Sequence, residues 1–189
     1  MLDALRSATR PLHDQLDGAA LSSRVTDGTA TAEDYLALVR WQRHAHAKAE
    51  EGLAEFAWPP ETDYAYRARG PVLEAEAVAL GLPTIRVRAL QPPATLAAAT
   101  GRAYVLEGSS LGGNMILGKL RGNERLVGRS DFAFYAFQRE VGLRQWRAFA
   151  AFAKTQDWTP AQVAEASAEA VKVFGVFAAA QQRPLDPLA

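Results

Sequence analysis

Tyr104-Val105-Leu106-Glu107-Gly108-Ser109-Ser110-Leu111-Gly112-Gly113-Asn114-Met115-Ile116 is the stretch on which the reading of this chain turns. Its flanks look helical: the alanine-rich Pro93–Ala99 segment before it, and Leu117-Gly118-Lys119-Leu120 after it. Yet Gly101, Gly108, Gly112, Gly113 and Gly118 all fall in this one region. A glycine inside a helix costs roughly 1 kcal/mol relative to alanine, so five interior ones forfeit on the order of 4–5 kcal/mol. Gly108 and Gly112 are four apart and share a face, with Gly113 beside them. Such a bare stripe lets a neighbouring helix or a large ligand lie against the backbone, or lets the helix break in two. Spacing by itself leaves these readings open.

The surrounding composition favours helices. The 189 residues fit one domain with a substantial core, 49% are hydrophobic, and alanine runs outnumber β-branched ones. Twenty-one basic and 21 acidic residues leave no net charge, and no basic block or acidic tract suggests a nucleic-acid partner or disorder. The absence of cysteine excludes disulfides, thiol catalysis and thiolate metal sites. Met1-Leu2-Asp3-Ala4-Leu5-Arg6 lacks the basic start and apolar run of a signal peptide, and no stretch is long and apolar enough to span a membrane. A cytoplasmic protein is expected.

Working outward, Leu2, Leu5, Leu12 and Leu16 recur at the helix period over residues 2–20, with Pro11 as the irregularity. Residues 21–28 read as a loop. Thr31 and Asp34 signal a helix start, and the next helix is expected over 32–56, ended by Trp58-Pro59-Pro60. A weaker helical segment over 62–80 looks interrupted by Gly70-Pro71, and residues 86–93 connect it to the glycine-marked helix. Asp131 to Phe137 alternates like a strand but is short and isolated, so it reads as an aromatic connection. Helices follow over 141–154 and 160–180, the latter opened by Thr159-Pro160-Ala161-Gln162. The result is an all-α bundle, a single domain over 1–181 with a loose tail over 182–189.

Chemistry-bearing residues are few. Among the three histidines, His44 and His46 are two apart and do not face each other on a helix, so they read as ordinary surface or boundary residues. His13 stands on a mostly apolar helix with Arg10 and Arg6 one and two turns earlier. That company suits a planar apolar cofactor bearing carboxylates, such as haem, although an interior histidine bonded to a carbonyl fits the same pattern. No Gly-x-Ser-x-Gly or Gly-x-Gly-x-x-Gly motif is present in the central stretch.

Three segments together resemble the haem oxygenase family, in particular bacterial biliverdin-producing enzymes paired with bacteriophytochromes. Leu5-Arg6-Ser7-Ala8-Thr9-Arg10-Pro11-Leu12-His13 resembles the family's proximal helix, Tyr104 to Gly113 its distal helix, and Phe132 to Phe137 the aromatic segment that follows. The resemblance implies a helical bundle with haem between the proximal and distal helices. It makes His13 the iron ligand and places Arg6 and Arg10 toward the propionates, with Asp17 near the histidine and Tyr135 in the haem pocket. Gly108, Gly112 and Gly113 would let the distal backbone approach the ring. Ser109, with Ser110 beside it, stands where members carry an aspartate that organises water. Arg144 and Arg147 are the nearest later cations, and Trp146 falls where a basic residue is expected. These displaced charges would turn the haem in its pocket towards a different meso carbon.

The implied reaction opens haem to biliverdin using molecular oxygen and electrons, with release of iron and carbon monoxide, so haem is both cofactor and substrate. The implied partners are an electron donor such as a ferredoxin or flavin reductase, and a bacteriophytochrome receiving biliverdin. The rival readings are a haem-binding or haem-carrying protein of the same fold, another enzyme of that helical superfold, and a plain helical interaction module.

Overall fold

The computed structural model describes residues 1–182, and these contain helices and no strand. Eight α-helices follow in order: α1 Leu2–Asp17, α2 Ala20–Thr26, α3 Ala32–Ala49, α4 Gly70–Ala79, α5 Leu96–Ser109, α6 Gly113–Arg121, α7 Ala133–Thr155 and α8 Pro160–Gln181. Short 3-10 turns occupy Ser110–Gly112 and Glu124–Leu126. The all-α expectation holds. Of the expected C-terminal tail, all but Gln182 lies outside the described residues.

Two apolar clusters hold the bundle. One joins α1, α5, α8 and the later half of α7 through Leu5, Leu106, Phe149 and Val173, each fully buried. The other joins α3, α4, α6 and the start of α7 through Tyr35, Leu73, Leu117 and Phe134. Trp41 packs against both. Each buried Leu or Phe side chain contributes roughly 1.5–3 kcal/mol relative to exposure.

A glycine has a specific use where α5 crosses α8. A Cβ on Gly101 would lie 2.0 Å from the Ala166 carbonyl oxygen, so the two backbones touch directly. Ala99 and Ala103 of α5 and Ala166 and Ala170 of α8 are all fully buried. Arg102 closes one side: buried, it donates to Glu169 at 2.5 Å and to the Gln91 carbonyl at 2.8 Å.

Several local expectations are corrected by tertiary partners. Residues 21–28, read as a loop, contain α2: the Thr26 hydroxyl bonds back to the Ser22 and Ser23 carbonyls, Val25 is buried, and Gly28 ends the element at φ +74°. The α3 helix stops at Ala49 rather than Phe56. There the buried Glu50 carboxylate accepts the Arg69 and Gly70 amides, and Gly52, at φ +69°, packs against Pro92. Gly70-Pro71 starts α4 instead of interrupting a helix, because the amide at Gly70 is taken by Glu50 and proline has none to satisfy.

The strand-like aromatic segment is the beginning of α7. The Glu76 carboxylate accepts the Phe134 amide at 2.8 Å, the Ser130 hydroxyl at 2.8 Å and the Tyr35 hydroxyl. Phe132 takes a left-handed conformation at φ 55° and packs edge-on against Tyr35 with ring centres 5.0 Å apart. Alternation of aromatics reflects two flanking partners here, not a pleat.

Gly101→Ala should therefore destabilise the fold by at least about 2 kcal/mol through overpacking. Gly118→Ala, with no atom within 4 Å of its added Cβ, should instead raise stability by up to about 1 kcal/mol. Urea denaturation of the two variants checks the contrast.

Candidate functional site

A cavity of about 1510 Å³ opens between α1, α3, α5, α7 and α8. On one side, α1 contributes His13, Arg6, Arg10 and Asp17. Tyr104, Gly108 and Ser109 from α5 and Gly112 from the 3-10 turn line the same cavity. Tyr135 and Trp146 of α7 complete the lining around them.

His13 is not an interior histidine. Its side chain is 59% exposed, its Nδ1 lies 3.1 Å from Asp17 Oδ2, and its ring is 6.1 Å from Phe174. An imidazole that donates Nδ1–H to a carboxylate leaves Nε2 as the nitrogen available to a metal. Arg10 lies 3.8 Å from Asp14 on the same helix, both exposed. Tyr104 is half-buried: burial raises its hydroxyl above the ordinary value, with Thr9 and Arg6 acting in the opposite direction.

The glycines of the central stretch separate into distinct roles. At Gly108 an added Cβ would meet only Trp146 at 3.7 Å, and at Gly112 only Ile116 at 3.8 Å, ordinary contacts in both cases. Protein packing does not require glycine at either position, and both line the cavity. At Gly113, by contrast, a Cβ would come within 2.8 Å of Gln138 on α7. Gly142 is its counterpart on α7, where a Cβ would meet Ser110 at 2.8 Å. Gly113 is thus a helix-packing residue and not part of the cavity lining.

Other expected site residues are also redistributed. Ser109 lines the cavity, and its hydroxyl donates to the Leu106 carbonyl at 2.8 Å. Ser110 is buried and accepts from Arg69 Nε at 3.1 Å, on the interior side of the turn. Arg144 and Arg147 are exposed outside the lining, off the i, i+4 row of α7 that carries Trp146 and Ala150. Lys154, four residues further along that row, reaches the cavity instead. Sequence reasoning missed Lys154, Gln42 and the role of Tyr104 as a lining residue. The signal was present: Tyr104 is one turn before Gly108, and Lys154 two turns after Trp146.

Behind the 3-10 turn the interior is polar. Arg69 and Glu107, both fully buried, pair at 2.5 Å, and the Tyr64 hydroxyl donates to Glu107 at 3.0 Å. His46, expected at the surface or its boundary, is fully buried with Nδ1 2.9 Å from Glu50. Phe134 and Phe177 pack edge-on against its ring, each with centres 5.5 Å away, and its Nε2 has no partner among the described residues. The neighbouring charges of Lys48, Glu50 and Glu51 suggested solvent, but the stripe Tyr35, Leu38, Gln42, Ala45, Ala49 places His46 on the inner face.

A haem fits these residues. Gly108 and Gly112 leave bare backbone at the cavity where a Cβ would intrude, His13 offers one imidazole, and Arg6 supplies a cation. Among the described residues no three His, Asp or Glu side chains come together as a metal site. An iron bound through His13 would draw further ligands from the macrocycle that carries it.

The chain is 32% identical to a haem oxygenase of Xanthomonas campestris pv. campestris (strain 8004) over 162 residues, covering 83% of this chain and 96% of that protein. It belongs to the haem oxygenase family. Its fold is similar to that of the NO- and CO-bound haem oxygenase from Neisseria meningitidis, with a TM-score of 0.65. That likeness covers 96% of this chain and 92% of the other at 22% identity, and it concerns the fold. No family model matches the chain. Among the described residues no helix is long and apolar enough to cross a membrane.

Glu50 gives the polar interior a pH signature. Burial works to raise its carboxyl, but His46, Tyr66 and the Arg69 amide outweigh this and hold it at about 2. A carboxyl lowered on folding adds stability that is present above its ordinary value of 4.5 and lost as pH falls towards 2. Stability should therefore decline across that window, by on the order of 3 kcal/mol from this group. Glu50→Gln should be less stable at pH 7 and show a flatter decline, as measured by urea denaturation at stepped pH.

Proposed function

We propose that this chain is an active haem oxygenase, opening haem to biliverdin with release of iron and carbon monoxide. The observation that carries the proposal is the pairing, in one cavity, of His13 with the bare backbone at Gly108 and Gly112. Haem bound there supplies the redox centre for oxygen activation and is itself the substrate.

In this reading His13 would hold the iron through Nε2, and Asp17 would fix the imidazole tautomer by accepting from Nδ1. Arg6 and Tyr104 face the carboxylate-bearing edge, and Arg10 stands further along the same helix with Asp14 beside it. Gly108 and Gly112 keep side chains out of this part of the cavity, so a haem held there would meet bare backbone. Tyr135 bounds the pocket from α7. The Ser109 hydroxyl donates its hydrogen bond to the Leu106 carbonyl, so towards the cavity its oxygen acts as an acceptor. It would order a water by accepting, where an aspartate would do so with charge. A one-electron donor such as a ferredoxin or a flavin reductase would supply the electrons. Delivery of biliverdin to a bacteriophytochrome is the proposed fate of the product.

A second reading, a haem-carrying protein of the same fold, draws on that uncharged Ser109. Haem added with a reductant under oxygen separates the two. Loss of the Soret band with a bilin spectrum appearing is expected, whereas a persistent Soret band would favour the carrier. No Soret shift on adding haem would remove both readings.

Two substitutions probe the assignments. His13→Ala should abolish the spectrum of the histidine-ligated ferric complex and turnover, and a spectrum unchanged from wild type would refute the ligand assignment. Gly108→Ala should leave the melting temperature unchanged or slightly raised, because no protein atom obstructs its Cβ, while weakening haem binding and slowing bilin formation at least about ten-fold.

A further inference from the structure

The chain holds no cysteine and two methionines, so its readily oxidised side chains are chiefly tyrosine and tryptophan. Several of these stand in one continuous file of packed rings. The file begins at Tyr104 and Trp146, which line the cavity with ring centres 5.8 Å apart. Trp146 lies 5.7 Å from Phe149, and Phe149 lies 5.3 Å from Tyr64 in the interior. Tyr64 packs edge-on against Trp58 at 4.7 Å, and Trp58 is only partly buried. Such packing stabilises a core whatever else it does. Rings in contact also give an electron a short path, and phenol and indole lose one electron more easily than most side chains.

The surroundings of Tyr64 set it apart from an ordinary core tyrosine. It is 2% exposed, and its hydroxyl donates to Glu107 at 3.0 Å. A phenol that loses an electron becomes strongly acidic, so it is oxidised readily only where a base within hydrogen-bond reach takes the proton. Glu107 is that base. Burial raises its carboxyl against the pull of Arg69, which favours accepting a proton. At rest, burial and the Glu107 charge hold the Tyr64 hydroxyl well above its ordinary value, so the proton stays on the phenol until the electron leaves. Tyr104, nearer the cavity, instead feels Thr9 and the Arg6 cation, whose charge opposes removal of an electron. Glu107 directly precedes Gly108, so the acceptor belongs to the segment whose backbone lines the cavity.

We propose that Tyr64 is a redox-active residue, passing one electron through Phe149 and Trp146 to an oxidant in the cavity and its proton to Glu107. This rests on the haem reading above and adds a protective reaction to it, the reduction of hydrogen peroxide left when oxygen is reduced without attack on the ring. Each peroxide takes up two electrons and two protons, its O–O bond breaks, and two waters leave. Tyr64 supplies the electrons one at a time. Each time, the neutral tyrosyl radical is reduced by one electron entering at Trp58 from a one-electron reductant such as ascorbate, and the proton returns from Glu107. Two ascorbate monoanions furnish the two electrons and two protons and leave as two ascorbyl radicals.

The test mixes the ferric haem-loaded protein with hydrogen peroxide, freezes it rapidly and records the EPR spectrum, with the signal normalised to bound haem by the Soret band. Wild type should show an organic radical whose spectrum narrows when the protein carries ring-deuterated tyrosine, and ascorbate should remove it. Tyr64→Phe should lose the tyrosyl signal. Trp146→Phe, which interrupts the path and keeps the Tyr64–Glu107 pair, should lose it as well, and it decides the matter if Tyr64→Phe fails to fold. Tyr135→Phe, at a buried tyrosine that also lines the cavity, should retain it. A tyrosyl signal kept in Tyr64→Phe or Trp146→Phe, lost in Tyr135→Phe, resistant to ascorbate, or absent from haem-loaded wild type would overturn the role of Tyr64 and leave the haem reading standing. Failure of wild type to bind haem at all would overturn both.

Discussion

A helix can approach another surface only as closely as its side chains permit, and the α5–α6 backbone must approach three surfaces at once. Gly101 meets the Ala166 carbonyl of α8, Gly113 meets Gln138 of α7, and Gly108 with Gly112 faces the cavity. The first two approaches demand the absence of a Cβ, the third leaves backbone bare that protein packing would let a Cβ cover, and together they account for most of the propensity cost of this segment. The cavity is therefore not an accident of loose packing. The same element that is locked to α8 and α7 on its protein faces presents bare backbone on the remaining one, so rigidity and access come from one run of chain.

The polar interior supports that arrangement from behind. Arg69 links the end of the irregular 62–69 segment to Glu107 and Ser110 at the helix break, while Glu50 takes up the backbone amides that start α4. Burying these charges is costly, and the cost is offset only because nearly every donor and acceptor finds a partner. Ser110 thereby gives the break between α5 and α6 a fixed side-chain anchor. Gly142 lets α7 pass directly beneath it.

Much of the fold was legible in residue order because helix signals are local. Thr31 with Asp34 and Thr159 with Gln162 form the expected capping boxes, and Pro11 is carried within α1 without ending it. What local pattern could not supply was the effect of distant acceptors. Glu76 turned an apparent strand into the first turn of α7, and Glu50 shortened α3 and converted Gly70-Pro71 from a break into a start. The site followed the same division. His13, Arg6, Asp17, Gly108, Ser109, Gly112 and Tyr135 line one cavity, whereas Ser110, Gly113, Arg144 and Arg147 stand outside it.

The sequence by itself determined that the chain forms helices, that His13 lies on one of them near basic residues, and that glycines interrupt another at fixed intervals. These follow from periodicity and propensity within a few turns of chain. Only the tertiary structure decided which glycine serves a helix contact and which serves the cavity, that His46 lies in the core, and that Lys154 and not Arg147 reaches the pocket. The reason is that a helix offers several faces, and which partner covers each face depends on residues tens of positions away, through contacts that no local pattern encodes.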